Sequence, residues 1–520
     1  MPFEGDKRQK VLVLLTMCFA LFMAMLDNTV VNVSLPRIRL ELGAGLSDLQ
    51  WIVDGYVLAF ASLLLTGGIL GDRYGRKKTF LGGLVVFTVA SLGCGLAGSS
   101  GQLIAFRALQ GVGAALLMPG TLSIITVTFP PHERAKAIGM WAGVSGLALA
   151  LGPTLGGWMV EHLGWESVFF LNVPIGAVGL VVASRVVRES ISEQTRHLDL
   201  VGLALGTGAL FSVTYGLIES NEKGWSDPLI VSALAVSAVL LLAFLAWERR
   251  SPQAMMPLSF FRIPAFSAGN TVAFAVSFGM FGIFFFMSLY MQVIRGYSPF
   301  QAGVRFLPMT LMIVVTAPNA GRFASRHGSR LPMTYGLALT GIGLFLMSRV
   351  TETTPYALLL PLFVVMGHGM ASTMSPMTAA VMNAVGHERA GLGSAMTNTS
   401  REVGGVFGIA LLGTLLTARL KSSLVAGISG LGLAPSIARA IGETAGHGQI
   451  DPVLIAALDP ARAAAVQGAF VAAFLDGFHL ALLVASAVLL LGAAVAFTWI
   501  PSGAPQREVA HIGREEPVEV

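Results

Sequence analysis

Gly68-Ile-Leu-Gly-Asp-Arg-Tyr-Gly75 returns later in the chain as Gly321-Arg-Phe-Ala-Ser-Arg-His-Gly328, with the same spacing of glycine and arginine. Two more pairs follow in order at an offset near 255: Gly111-Val-Gly113 with Gly367-His-Gly369, and His132-Glu-Arg-Ala135 with His387-Glu-Arg-Ala390. One tetrapeptide match is weak evidence. Three in order at one offset are hard to ascribe to chance. The chain reads as an internal duplication, and the residues around these motifs decide what is duplicated.

Those surroundings are apolar. Hydrophobic residues make up 54% of the 520 residues and charged ones 12%, about half the charged share of a soluble chain. Fourteen apolar runs, from 11–33 to 476–499, each suffice to cross about 30 Å of hydrocarbon. In lipid the backbone must bond to itself, and the runs exceed the 9–11 residues of a barrel strand, so they read as helices. The composition excludes a secreted disulfide scaffold, a disordered chain and an ordinary cytosolic enzyme. Cys18 and Cys94 lie in apolar runs and read as small core residues. The first run follows Lys7, Arg8 and Lys10 but continues to Val33 without a small-residue cleavage pattern, which favours a retained helix over a signal peptide. The fold class expected is an all-α integral membrane protein.

Basic residues orient it. With the N-terminus inside, twenty-one Lys and Arg fall on the cytoplasmic side and six in the short outer loops. Both termini are therefore expected in the cytoplasm, and the net charge of +5 reflects membrane topology rather than nucleic-acid binding. The repeat pairs runs 1–6 with runs 9–14 and leaves two unpaired. The expected organisation is an N-terminal tail 1–10, a six-helix bundle 11–196, a two-helix insert 197–250, a second bundle 251–500 with an outer loop 419–475, and a polar tail 501–520. The runs of the insert carry no central charge, so the transport machinery is expected to be complete without them. Two six-helix bundles related by an axis along the membrane normal, with a site between them, are a known transporter plan.

Ionisable groups inside spans are costly and functional by default. Counting from the outer ends of their runs puts Asp27, Asp54 and Arg107 at similar depth, in the outer half. An acid beside Arg⁺ favours its charged form and burial disfavours it, so alternating access could swing a carboxylate through its titration; a fixed structural pair is the plainer alternative. Arg401 and Glu402 are adjacent, point about 100° apart and do not simply satisfy each other. Glu402 is a second candidate acid, or part of an interfacial pair. His368 reads as a hydrogen-bonded core residue. Phe281, Phe284, Phe285 and Phe286 with Met366, Met370, Met374 and Met377 fit either interhelix packing or an adaptable cavity. In 68–78, Gly71 and Gly75 permit tight turns, while Asp72, Arg73, Arg76 and Lys77 can lock helix ends in one state and release them in another. Gly146, Gly152, Gly156 and Gly157 permit close backbone approach, and Pro153 lets the helix bend. No phosphate-binding Gly-rich run and no zinc spacing occurs.

On these residues the chain resembles the major facilitator superfamily, specifically its 14-helix drug:proton antiporter family. Leu26–Pro36 is similar to the family signature, Gly68–Lys78 to the superfamily loop motif, Leu103–Ala115 with Arg107, Gln110, Gly111 and Gly113 to the fourth-helix motif, and Gly146–Gly157 to the motif of antiporters. Trp165–Pro174 departs from the pattern, with Glu166 and Ser167 where the family usually has Arg and Trp. The resemblance implies alternating-access export of small organic compounds, driven by a proton gradient without a bound cofactor, in a bacterial inner membrane. Asp27 and Arg107, which lie in its motifs, together with Asp54 and Glu402, singled out by their charge inside spans, are the candidate coupling or substrate residues. Gly68, Gly71, Asp72, Arg73, Gly75, Arg76, Gly111, Gly152, Pro153, Gly156 and Gly157 are implied as gate and hinge. The expected partners are substrate, protons and lipid, with no nucleotide or nucleic acid; the expected state is a monomer, with room for a periplasmic adaptor. A nutrient symporter and a non-transporting receptor or enzyme are the alternatives.

Overall fold

The computed structural model describes residues 7–191, 199–251, 256–385, 390–446 and 452–502. Among them helices dominate and no strand occurs. The first group is α1 (Lys7–Leu42), α2 (Leu46–Tyr74), α3 (Arg76–Gly95), α4 (Ser100–Thr128), α5 (Pro131–Leu163), the short α6 (Ser167–Phe170) and α7 (Asn172–Val186). Then come α8 (Leu200–Lys223) and α9 (Pro228–Arg250). The second group is α10 (Pro264–Leu289), extended by a π turn (Tyr290–Ile294), α11 (Pro299–His327), α12 (Arg330–Met347), α13 (Tyr356–Val385), α14 (Ala390–Ile428), α15 (Pro435–Gly446), α16 (Pro452–Ala456) and α17 (Pro460–Trp499). Thirteen helical segments among the described residues are long and apolar enough to cross a membrane. The face where α1 begins is called proximal here, the opposite one distal.

Helix starts follow the sequence closely. Asp227 before Pro228, Ser298 before Pro299 and Asp459 before Pro460 each accept a backbone N–H of the first turn, and proline at the first position sacrifices no bond. Pro174 lies three residues into α7 and cannot donate to the preceding turn, where the chain breaks between α6 and α7.

The helices of each group pack mainly on one another: α4 lies between α2 and α3, α1 on α5, α14 on α10 and α17, and α13 between α11 and α12. The groups meet where α5 lies on α11, α2 on α14 and α1 on α10. α8 pairs with α9 and also rests on both α2 and α14. The described parts of 419–475, expected as an outer loop, supply the distal ends of α14 and α17 together with α15 and α16. Leu420, Leu424, Ile428, Ile441, Val466 and Phe470 are buried there. Among its described residues the segment is mainly helical rather than an open loop. The second copy of the His-Glu-Arg motif, His387–Arg389, and the 503–520 part of the tail lie outside the described residues.

Candidate functional site

Asp27 sits on α1 deep inside the first group. Arg107 of α4 donates from Nη1 to its Oδ2 at 2.6 Å, and both side chains are fully buried. Its Oδ1 accepts from Gln110 Nε2 and Asn172 Nδ2, each at 2.8 Å. Arg107 also donates to the Ile52 carbonyl at 3.0 Å and to Gln110 Oε1 at 2.7 Å, and lies 4.3 Å from the Tyr56 ring centroid. Gln110 reaches Ser91 of α3 as well, at 2.8 Å. The carboxylate thus has donors from α4 and α7 and a counter-ion in contact, which offsets the cost of burying charge. Gln110 stands in the fourth-helix motif without an assigned role and Asn172 had no candidate role, because neutral polar residues in an apolar run carry no mark of cost.

Asp54 is built differently. It is fully buried on α2, and neither carboxyl oxygen has a hydrogen-bond donor. One turn toward the distal face, Gln50 donates across to the Ile409 carbonyl of α14 at 2.9 Å. Residues four apart share a helix face, so Asp54 is turned toward α14 like Gln50. Glu402 lies seven residues before Ile409 on the same face of α14, is 9% exposed, and its Oε2 has no partner. At 1.5 Å per residue the two acids stand within about one turn of each other along the α2–α14 contact. The structure therefore joins Asp27 to Arg107 and leaves Asp54 outside that hydrogen-bonded cluster, on the helix that packs against the one carrying Glu402.

Around 68–78 the contacts stay within the first group. Asp72 Oδ1 accepts from Arg76 Nε at 3.0 Å and Nη2 at 2.8 Å. Glu189, just after α7, accepts the N–H groups of Lys77 and Lys78 at the start of α3. Gly75 has φ +115°, and a Cβ there would lie 2.6 Å from the Glu189 carboxylate. Only glycine serves at that turn. Gly68 and Gly71 line a small crevice with Arg76 and Pro119, Arg73 is exposed beside Tyr74, and Gly111 lies against the Tyr56 carbonyl.

The helix 5 motif divides its faces. Gly152 and Gly156 receive Thr29 and Val30 of α1, whereas Gly157 receives the backbone of Pro299 and Phe300 on α11. Reciprocally, Gly303 of α11 lies on the Pro153 carbonyl, and Thr154 donates to the Gly303 carbonyl at 3.3 Å. Glu161 accepts the Phe300 N–H at 3.1 Å. With Gln50 on α14, these ties between the groups gather at the distal end.

His368 is hydrogen-bonded to Thr316 at 3.0 Å with Tyr335 edge-on. Phe281, Phe284, Phe285 and Phe286 are buried, as are Met366, Met370 and Met377; Phe285 and Phe286 pack edge to face at 4.8 Å. Packing is the role this geometry gives them. Both cysteines are free and buried.

The Major Facilitator Superfamily profile matches residues 17–409. The chain is 36% identical over 502 residues to the tetracenomycin C resistance and export protein of Streptomyces glaucescens, covering 95% of this chain and 92% of that one. It is 40% identical over 395 residues to a methylenomycin A resistance protein of Streptomyces coelicolor, covering 76% and 83%. To the multidrug resistance protein Stp of Mycobacterium tuberculosis it is 33% identical over 509 residues, covering 95% and 93%. The crystal structure of a bacterial homologue of the human lysosomal transporter Spinster superposes with a TM-score of 0.62 at 17% identity, over 96% of this chain and all of that one. An all-helical chain with this many apolar helices, these motifs and these relatives belongs to the Major Facilitator Superfamily, as a multi-pass membrane transporter and not an enzyme.

Proposed function

We propose that the chain exports small organic compounds by alternating access, in exchange for protons. The distal face is the outside of a bacterial inner membrane, both termini are cytoplasmic, and fourteen crossings form two six-helix bundles around an inserted pair, α5 being the fourteenth. No bound cofactor is required; the proton gradient supplies the energy. The relatives named for antibiotic resistance and export support the direction of transport.

The observation that carries proton coupling is Asp54. A charged carboxylate with no donor and no counter-ion is costly in a bundle interior. Asp54 therefore holds its charge only in a conformation that brings water or a cationic group to it, and Glu402 across the α2–α14 contact shares that constraint on its bare oxygen. Asp27 and Arg107 hold the shape of the first bundle beside them. Asp72, Arg73 and Arg76, with the turns at Gly68, Gly71 and Gly75, form the cytoplasmic gate; Gly111 keeps α4 close to α2, and Gly152, Pro153, Gly156 and Gly157 let α5 bear on both bundles.

Counterflow in proteoliposomes, with tetracenomycin C and methylenomycin A as first probes, tests this. A proton gradient directed inward should drive probe outward for an exporter and inward for a symporter. Asp54→Asn should keep exchange of probe for probe while losing accumulation driven by the gradient. Undiminished gradient-driven export by that variant would remove Asp54 from coupling.

A further inference from the structure

The first helix of each bundle departs from the regular hydrogen-bond ladder at equivalent positions of the repeat. Pro36 lies inside α1. Having no N–H, it leaves the Asn32 carbonyl, four residues back, without its donor within the helix. At the offset near 255 that pairs the two halves, the position equivalent to Pro36 is Met291, in the π turn that ends α10. There Arg295 N–H donates to the Tyr290 carbonyl, five residues back, at 3.0 Å. Such widened turns recur at functional sites.

The two interruptions touch. Ser288 Oγ donates to the Asn32 carbonyl at 2.7 Å, a bond between residues 256 positions apart that is wholly buried. Gln292 Nε2 donates to the Val33 carbonyl and to Ser288 Oγ, both at 3.0 Å. A helical carbonyl is ordinarily spoken for; the Asn32 carbonyl is on offer to the second bundle because Pro36 brings no N–H to it, and the neighbouring Val33 carbonyl accepts from the second bundle as well. Behind the contact the π turn is anchored in its own bundle. The Tyr290 ring stacks on Phe478 with centroids 5.2 Å apart, and its hydroxyl donates to the Thr351 carbonyl at 2.7 Å.

We propose that Pro36 and the π turn Tyr290–Ile294 are paired hinges, and that Ser288 and Gln292, bonded to the carbonyls of Asn32 and Val33, are the latch that holds the distal face shut. These are positioning residues, acting on which face is open rather than on substrate or proton. The proposal rests on the alternating-access reading and adds to it where the closed state is held. Opening requires breaking a short chain of buried hydrogen bonds, and the hinges confine the bend to the last turns of α1 and α10.

Spin labels at Leu40→Cys, at the exposed distal end of α1, and Glu352→Cys, in the distal loop of the second bundle, with Cys18 and Cys94 replaced by alanine, report the gap as a distance distribution. Ser288→Ala, Gln292→Ala and Pro36→Ala should each raise the ratio of distal-open to distal-closed protein by about two- to tenfold, the worth of one net hydrogen bond. Pro36→Ala and Ser288→Ala together should move it no further than the larger of the two, because the N–H that alanine restores competes with Ser288 for the same Asn32 carbonyl. An unchanged ratio in Ser288→Ala, or independent effects that multiply in the double variant, overturns the latch. If Pro36→Ala does not fold, Ser288→Ala and Gln292→Ala still decide. A single unvarying distance in the parent protein, at every pH and gradient, would sink alternating access itself. Two distances whose ratio ignores Ser288 would sink only the latch.

Discussion

Two of the buried acids, Asp27 and Asp54, make opposite demands. Asp27 has a donor on each oxygen, so replacing it by Asn leaves the Arg107 charge buried without its counter-ion, a loss of about 3 kcal/mol. Asp27→Asn should therefore melt earlier in detergent than the parent protein, whereas Asp54→Asn, which removes a carboxyl that no donor satisfies, should melt at the same temperature or higher. Equal melting of Asp27→Asn and the parent would mean the pair is not structural. The pairing of Asp27 with Arg107 was legible by counting depth from the helix ends. That Asp54 stands apart from that pair was not, because depth says nothing about which face of α2 a residue takes. That is set by Gln50 reaching α14, a contact between residues 359 positions apart.

Among the elements, α5 and α8 depend most on their neighbours. Gly157→Ala places a methyl group against the Pro299 backbone and should cut export strongly while the protein still folds. Gly82→Ala, where the space is open, should be silent or slightly stabilising. Comparable transport by the two variants would show that α5 and α11 need not meet this closely. α8 and α9 are expected to be dispensable because the repeat pairs everything else, and their lack of a central charge agrees; the contacts of α8 bear on that. Its distal end nonetheless joins both bundles: Trp51 donates to Glu219 at 3.0 Å, Thr414 to the Leu217 carbonyl at 2.6 Å, and Lys421 to the Asn221 carbonyl. Deleting 198–247, with a short linker from Arg196 to Arg249, should keep the C-terminus on its original side and retain some export, with a lower melting temperature. A correctly inserted deletion variant without transport, together with loss through point changes along the segment, would make the insert part of the mechanism. Hydropathy located the helices but not their lengths. The runs at 398–418 and 476–499 belong to α14 and α17, of 39 and 40 residues, because beyond the hydrocarbon a helix continues on backbone propensity that an apolar window does not register.

For the whole molecule, the repeat and the basic residues lead to one topology. A fluorescent protein that matures only in the cytoplasm should shine when fused at either terminus, and a periplasmic reporter should be active when inserted near Gly430. A dark C-terminal fusion would mean an odd number of crossings. The duplication was legible because glycine and arginine at helix ends resist replacement by chemically similar residues. How far the halves had closed on each other was not, since a backbone that meets a backbone, as Gly157 meets Pro299, writes nothing into the sequence but a glycine.

The Asp27–Arg107 pair also constrains how the protein is made. Its partners are 80 residues apart, so at about 5–20 residues per second the ribosome exposes the acid about 4–16 seconds before the base. During that interval α1 must rest in or beside the membrane with an unmatched acid, at a cost of about 3 kcal/mol. Entry of α4 into the bilayer then relieves two helices at once. Insertion of the first bundle is in this sense a joint event, and α1 is committed to its place only when α4 arrives.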